Sequence, residues 1–440
     1  MLDVIGAASV DDLFVQIPEA MRFTGELDIP LGITEPELVS EFTRLAARNV
    51  DMTREVSFLG YGSYDHHVPA ICGAITSRSE YATSYTPYQP EVSQGTLGAI
   101  FEYQTAISEL AGLPISNASL YDGATAAAEA MYVSKQLTGR TEAIVLRSVA
   151  GPIRDVLQTF ARAYGMTLRE VAFDPASGIT AVDVLRAAVS ADTACVIVQQ
   201  PNAFGCFEDA PELVKIATDA GAIPVVHADP LSLGLLEAPG NYGAGIVVGE
   251  GQALGNSSAF GGPSFGFYAT DERYVRRMPG RAVGRSLDAD GTPAYVLTLQ
   301  TREQHIRRDK ATSNICTNQA LNALSGIIYL AWLGPVGLSE LGTLLVDRIE
   351  FLRRQVFAIE GVTPVFDGPV FKELAIRLPG PVTAHDAIVA CKKHAVHPGF
   401  ALGVDYPELG DNVLLVAVTE KRTDADIVLL ATALREAVAR

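Results

Sequence analysis

Ile223-Pro224-Val225-Val226-His227-Ala228-Asp229 is an almost unbroken apolar run that closes on a carboxylate. Without polar alternation it reads as a strand buried on both faces of a sheet. Working outward, the helical stretch Ala210–Ala220 precedes it, and the same couplet recurs upstream. Helix Gly123–Leu137 leads to strand Glu142–Val149, helix Ile153–Tyr164 to strand Thr167–Phe173, and helix Ala181–Val189 to strand Ala194–Val198. Alternation of this kind predicts an α/β fold with a mostly parallel sheet between helix layers. Two more strands, near Gly245–Gly249 and Gly266–Thr270, bracket a glycine-rich loop.

The ends of the chain differ from this middle. Ser9 with Asp12, and Thr34 with Glu37, read as capping boxes opening two helices, the second over Glu35–Asn49 with Leu38, Phe42, Leu45 and Ala46 on one stripe. Near residue 325 the pattern shifts to helices Leu324–Leu333 and Leu338–Ile359, strand Leu374–Arg377, helix Ala384–His394, strand Val413–Val418 and helix Asp424–Ala439. The expected division is a helical arm (1–65), a large domain with a sheet of the seven-stranded type (66–324) and a smaller C-terminal α/β domain (325–440).

In an open sheet of this class, ligands sit beyond the carboxyl ends of the strands. Asp229 is placed to meet a pyridinium nitrogen, and the turn Tyr121-Asp122-Gly123-Ala124-Thr125-Ala126 opens a helix whose N–H groups suit a phosphate. Together they suggest the type I fold of pyridoxal phosphate (PLP) transferases. Each has a plainer reading: Asp122 as an ordinary N-cap, Asp229 as a turn residue before Pro230, His227 as core. PLP chemistry also needs a lysine amine to tether the aldehyde. From Lys215 to Lys310 there is none. Lys310 lies 81 residues past Asp229, inside the charged run Arg302-Glu303-Gln304-His305-Ile306-Arg307-Arg308-Asp309-Lys310.

Composition excludes several classes. A net charge of −18 over 440 residues argues against nucleic acid or an anionic membrane surface as partner. The N-terminus lacks the basic and apolar regions of a signal peptide, and the apolar run Ile327–Leu333 is shorter than the roughly 20 residues a bilayer span takes. Five cysteines without metal-ligand spacing read as reduced thiols of a cytoplasmic protein. The adjacent pair His66-His67 is a poor metal site, so no metal is expected. The loop Ser84-Tyr85-Thr86-Pro87-Tyr88-Gln89-Pro90-Glu91 is a stiff segment whose hydroxyls could orient a substrate.

Four segments carry a resemblance over essentially the whole chain: Ser57–Pro69, Tyr85–Gly95, Leu120–Thr125 and Thr301–Thr317. They are similar to the glycine decarboxylase P-protein family, and specifically to subunit 1, the N-terminal half where the P-protein is split in two. The resemblance implies one half of a PLP-dependent glycine dehydrogenase (decarboxylating) of the glycine cleavage system. Subunit 2 would hold PLP on its lysine, with no cofactor bound covalently here, and the two would form an α2β2 tetramer. Glycine would be the substrate, and the aminomethyl group would pass to the lipoyl arm of H-protein. Tyr85, Thr86, Tyr88 and Gln89, with His66 and His67, would reach into the shared site. Asp122, Gly123, Thr125 and Asp229 would form a vestigial cofactor pocket. The family pattern Gly-Gly-Pro before a Gly-Phe strand is kept at Gly261-Gly262-Pro263 and Gly266-Phe267, while Gly255–Ala259 departs from the usual wording. Two rival readings are a self-sufficient PLP enzyme using Lys310 and a non-catalytic binding protein of the same fold.

Overall fold

The computed structural model describes residues 1–439. Two compact units emerge, Met1–Asp51 and Met52–Arg440. In the first, Thr34 and Glu37 do close a capping box at the head of helix Glu35–Ala46. Ser9 and Asp12 also bond reciprocally, but only the four-residue 3-10 turn Asp11–Phe14 follows, so the first expected helix is not there. No residue of this unit is buried, and Phe14, Phe23, Leu31 and Phe42 are exposed.

The second unit is built on a seven-stranded sheet. Its strands are β1 (Ile115–Ser116), β2 (Glu142–Leu146), β3 (Thr167–Val171), β4 (Thr193–Gln200), β5 (Ile223–Ala228), β6 (Ile246–Glu250) and β7 (Gly266–Thr270). They lie in the order β1-β7-β6-β5-β4-β2-β3. Strands β2 to β6 pair in parallel, and β7 is antiparallel to both β6 and β1. The apolar runs read as doubly buried are so: every residue of β5 is buried, and six of the eight in β4. Parallel strands covered by helices on both faces bury each Val or Ile fully, worth roughly 1.5–3 kcal/mol per side chain.

One element went unforeseen. An antiparallel hairpin, Ala282–Leu287 with Pro293–Thr298, follows the main sheet. The two helices expected around residue 325 are there, over the span Ala320–Phe357, separated by a kink where the backbone is non-helical at Gly334 just before Pro335. The span is long and apolar enough to cross a membrane by composition, yet Leu338, Leu345, Ile349, Leu352 and Val356 are buried in the core. The anticipated boundary at 324/325 falls inside it.

The C-terminal part is a four-stranded antiparallel sheet, Thr363–Pro364, Glu373–Arg377, Val413–Ala417 and Phe400–Ala401, backed by helices Ala384–Cys391 and Asp424–Val438. The segment leaving the arm is stitched into this part, since Val56–Ser57 pairs in parallel with Val396–His397. Gly60 permits that closeness, because a Cβ there would lie 2.5 Å from Ala417 Cβ and 2.6 Å from Glu373 Oε1.

Candidate functional site

The sheet directs its carboxyl ends at a cleft of about 190 Å3. Asp229, one residue past β5, Glu250 at the end of β6, and Asp122 at the N-cap of helix Gly123–Thr138 all line it. So do Tyr61 and Tyr64 from the segment after the arm, and Lys372 and Glu373 from the C-terminal sheet. Asp122 and Asp229, paired from sequence alone, therefore do share one cavity.

Lys372 decides the electrostatics. Its side chain is 2% exposed, and its Nζ lies 2.6 Å from Asp229 Oδ2, 3.4 Å from His66 Nε2 and 3.6 Å from the Tyr64 ring centroid. All three ammonium hydrogens thus have a carboxylate, a lone pair or a π face to meet. Burial works against the charge on Asp229, but Lys372 outweighs it and holds the carboxyl below its ordinary range. Burial, and then the Lys372 ammonium, keep His66 below its ordinary value and hence neutral. His66 then donates from Nδ1 to Glu420 Oε2 at 2.7 Å and accepts from Lys372 at Nε2. Glu373 accepts the Tyr61 amide at 2.6 Å, and burial pushes its carboxyl up to about 7.

The helix terminus is also spoken for. The Gly123 amide donates to Glu250 Oε2 at 2.9 Å, and the Thr125 amide donates to Asp122 Oδ1 at 2.7 Å. A Cβ on Gly123 would lie 2.7 Å from the Glu250 nitrogen, so glycine is what lets the helix approach β6. The Glu250 carboxylate further accepts the Gln252 amide at 3.1 Å and the Ser264 hydroxyl. His227 lines the wall rather than packing as plain core, and its Nε2 has no protein partner. Burial depresses its pKa to about 4, so it is neutral.

These residues do not fit PLP. Among the described residues Lys372 is the one lysine lining the cleft, and it stands at Asp229, where a ring nitrogen would be. The aldehyde of PLP is para to that nitrogen, so one amine cannot meet both ends. Lys310 is exposed, in the turn Arg308–Lys310, and does not line the cleft. Sequence reasoning stopped at Lys310 and missed Lys372. The available signal was a lysine between Phe371 and the strand Glu373–Arg377 in otherwise apolar surroundings, which argues for a buried, paired charge.

The other predicted residues lie elsewhere. Tyr85 is 76% exposed and Tyr88 44% exposed, with Gln89 exposed and Thr86 half-buried. The Tyr88 hydroxyl accepts from Arg281 Nη2 at 2.9 Å, and its ring meets His305 edge-on with centroids 5.4 Å apart. Arg281 in turn pairs with Glu303 at 3.4 Å, both nearly buried. Two of the recognised segments, 85–95 and 301–317, are thereby joined at Tyr88. His66 is buried beside the cleft, against Lys372, while His67 is exposed. No cluster of three metal-ligating side chains occurs among the described residues.

Comparison with known proteins agrees with this geometry. The family model of the glycine cleavage system P-protein matches residues 1–434. A probable glycine dehydrogenase (decarboxylating) subunit 1 from Chloroherpeton thalassium is 47% identical over 436 residues, covering 99% of this chain and 97% of the relative. Its namesake from Anoxybacillus flavithermus is 45% identical, covering 97% and 94%. A crystal structure of glycine decarboxylase (P-protein) in inhibitor-bound form superimposes with a TM-score of 0.92 at 42% identity, covering 99% of this chain and 97% of that one. A sphingosine-1-phosphate lyase of Burkholderia pseudomallei, at 14% identity and a TM-score of 0.68, shares the fold alone, that of the type I PLP-dependent enzymes. The chain belongs to the P-protein family of the glycine cleavage system, among the proteins named subunit 1 of glycine dehydrogenase (decarboxylating).

Proposed function

We propose that this chain is the cofactor-free half of a heteromeric glycine decarboxylase. A homologous second subunit supplies the lysine and PLP, and the pair removes the carboxylate of glycine and hands the aminomethyl group to the lipoyl arm of H-protein. The observation that carries this reading is the cleft itself, where the one lining lysine among the described residues is held by Asp229 and the helix terminus by Glu250.

This chain's part is to wall and orient. Tyr88 is held by Arg281 and His305, so its hydroxyl projects from a braced ring rather than a floppy loop. Tyr85, Thr86 and Gln89 on the same stretch line the partner's site, with His67 at its margin. Asp122 and Asp229 are structural walls of a cleft that holds no cofactor, with His66, Gly123 and Thr125 structural beside them. The exposed apolar side chains of the Met1–Asp51 unit support an obligate partner, since so many unburied Phe and Leu residues are costly in water.

Reconstitution tests the reading. Exchange of labelled bicarbonate into the glycine carboxyl is expected only when this chain, the lysine-bearing homologue and H-protein are all present. Exchange by this chain without the homologue would overturn it.

A further inference from the structure

We propose that the cleft is liganded by its own protein. The Lys372 ammonium on Asp229 and the Glu250 carboxylate on the Gly123 amide take the places of the two charged poles of pyridoxal phosphate. The chain thereby refuses a phosphorylated pyridine and fastens its C-terminal sheet to its main sheet. The function proposed above requires only that catalysis sit elsewhere; this inference says what the cleft does instead.

A carboxylate at the end of a central strand favours a ring nitrogen because that nitrogen brings a proton and a positive charge. Lys372 brings both, at 2.6 Å, with its remaining hydrogens met by His66 and the Tyr64 ring. A helix N-terminus favours phosphate because its free amides point at negative charge. Here Glu250 collects the Gly123 and Gln252 amides and the Ser264 hydroxyl, a set of donors suited to one phosphate oxygen or another.

Charge balance agrees. Lys372 is the single cation lining the cleft among the described residues, and Asp229 already holds it, while Asp122, Glu250 and Glu373 add no positive charge. A phosphate dianion entering there would meet carboxylates and no free ammonium. The space left, about 190 Å3, is also below the roughly 300–1,000 Å3 of ordinary ligand pockets.

The mechanical consequence follows from where the groups reside. Asp229 and Glu250 belong to the main sheet, Lys372 to the C-terminal part, and His66 to the segment that leads away from the arm. One ammonium therefore joins three parts of the chain.

The test uses the full chain by itself and pyridoxine phosphate, which keeps the ring nitrogen and phosphate but has no aldehyde for stray lysines to trap. Equilibrium dialysis is expected to show no saturable binding to the wild type. Glu250→Ala/Lys372→Met is expected to bind, each charge-assisted contact regained being worth about tenfold to a hundredfold in affinity. Saturable binding to the wild type as tight as to the double variant overturns the proposal, as does a folded double variant that binds no better. Lys372→Met alone is expected to lower the melting temperature, and Asp229→Asn/Lys372→Met to recover most of it. A loss that the paired replacement leaves unrepaired overturns the fastening role. The ligand does not react, so these results stand apart from those of the exchange assay.

Discussion

The cleft and the tyrosine loop are made of the same kinds of residue and behave oppositely. In and beside the cleft, Asp229, Lys372 and His66 spend their polarity on one another and on Glu420, and Glu250 spends its own on the Gly123 amide, away from solvent. On the loop, Tyr85 and Tyr88 turn their rings outward, and Tyr88 is braced from behind by Arg281. The contrast teaches where chemistry remains available. A fold can keep the outline of a cofactor site and close it, while a surface segment keeps its tyrosine rings partly open to solvent.

The sharpest way to break that contrast is to strip one side of the buried pair. Asp229→Ala leaves Lys372 charged and unmatched, and about 3–5 kcal/mol of stability should be lost, measurable by urea unfolding. A loss below about 1 kcal/mol would place the cleft in the same class as exposed ion pairs.

A second prediction concerns Glu129, buried in helix Gly123–Thr138 with neither oxygen hydrogen-bonded. Burial pushes its carboxyl up to about 7 from 4.5, with the nearby Ser313 hydroxyl pulling slightly the other way. The folded state therefore holds a proton that the unfolded chain releases, so stability should fall as pH rises from about 4.5 to 7 and stay low above. Glu129→Gln should raise stability at pH 8 by roughly 2 kcal/mol and change little at pH 4.5, as read from melting temperatures at both. Equal effects at the two pH values would remove the titration argument.

Smaller effects belong to the loop. Tyr88→Phe removes one hydroxyl acceptor and should cost about 1 kcal/mol or less. It should lower exchange by the assembled enzyme while leaving subunit association intact. Tyr85→Ala should leave the unfolding curve within about 0.5 kcal/mol of wild type. Its effect should surface only in assembled turnover. Unchanged turnover in both variants would make the loop scaffolding.

Much of the architecture was readable because burial on both faces leaves a mark on every residue of a strand. Ile223–Asp229 could be assigned from its own letters, as could the capping box at Thr34 and Glu37. The hairpin at 282–298 was not, since it is half exposed and its strands carry mixed residues. The break at Gly334, just before Pro335, was legible as the gap between two helices. Of the cleft, Asp122 and Asp229 were visible because each ends or starts an element. Lys372 was invisible because its meaning depends on a partner 143 residues away, with no local motif to announce it. The loop's brace, Arg281 and Glu303, escaped for the same reason.

The bond between His66 and Glu420 spans 354 positions. At a ribosomal pace of about 5–20 residues per second, the histidine emerges roughly 20–70 seconds before its acceptor exists. Newborn copies must carry an unfinished cleft through most of their synthesis, and the closing stitch is among the last that translation makes possible.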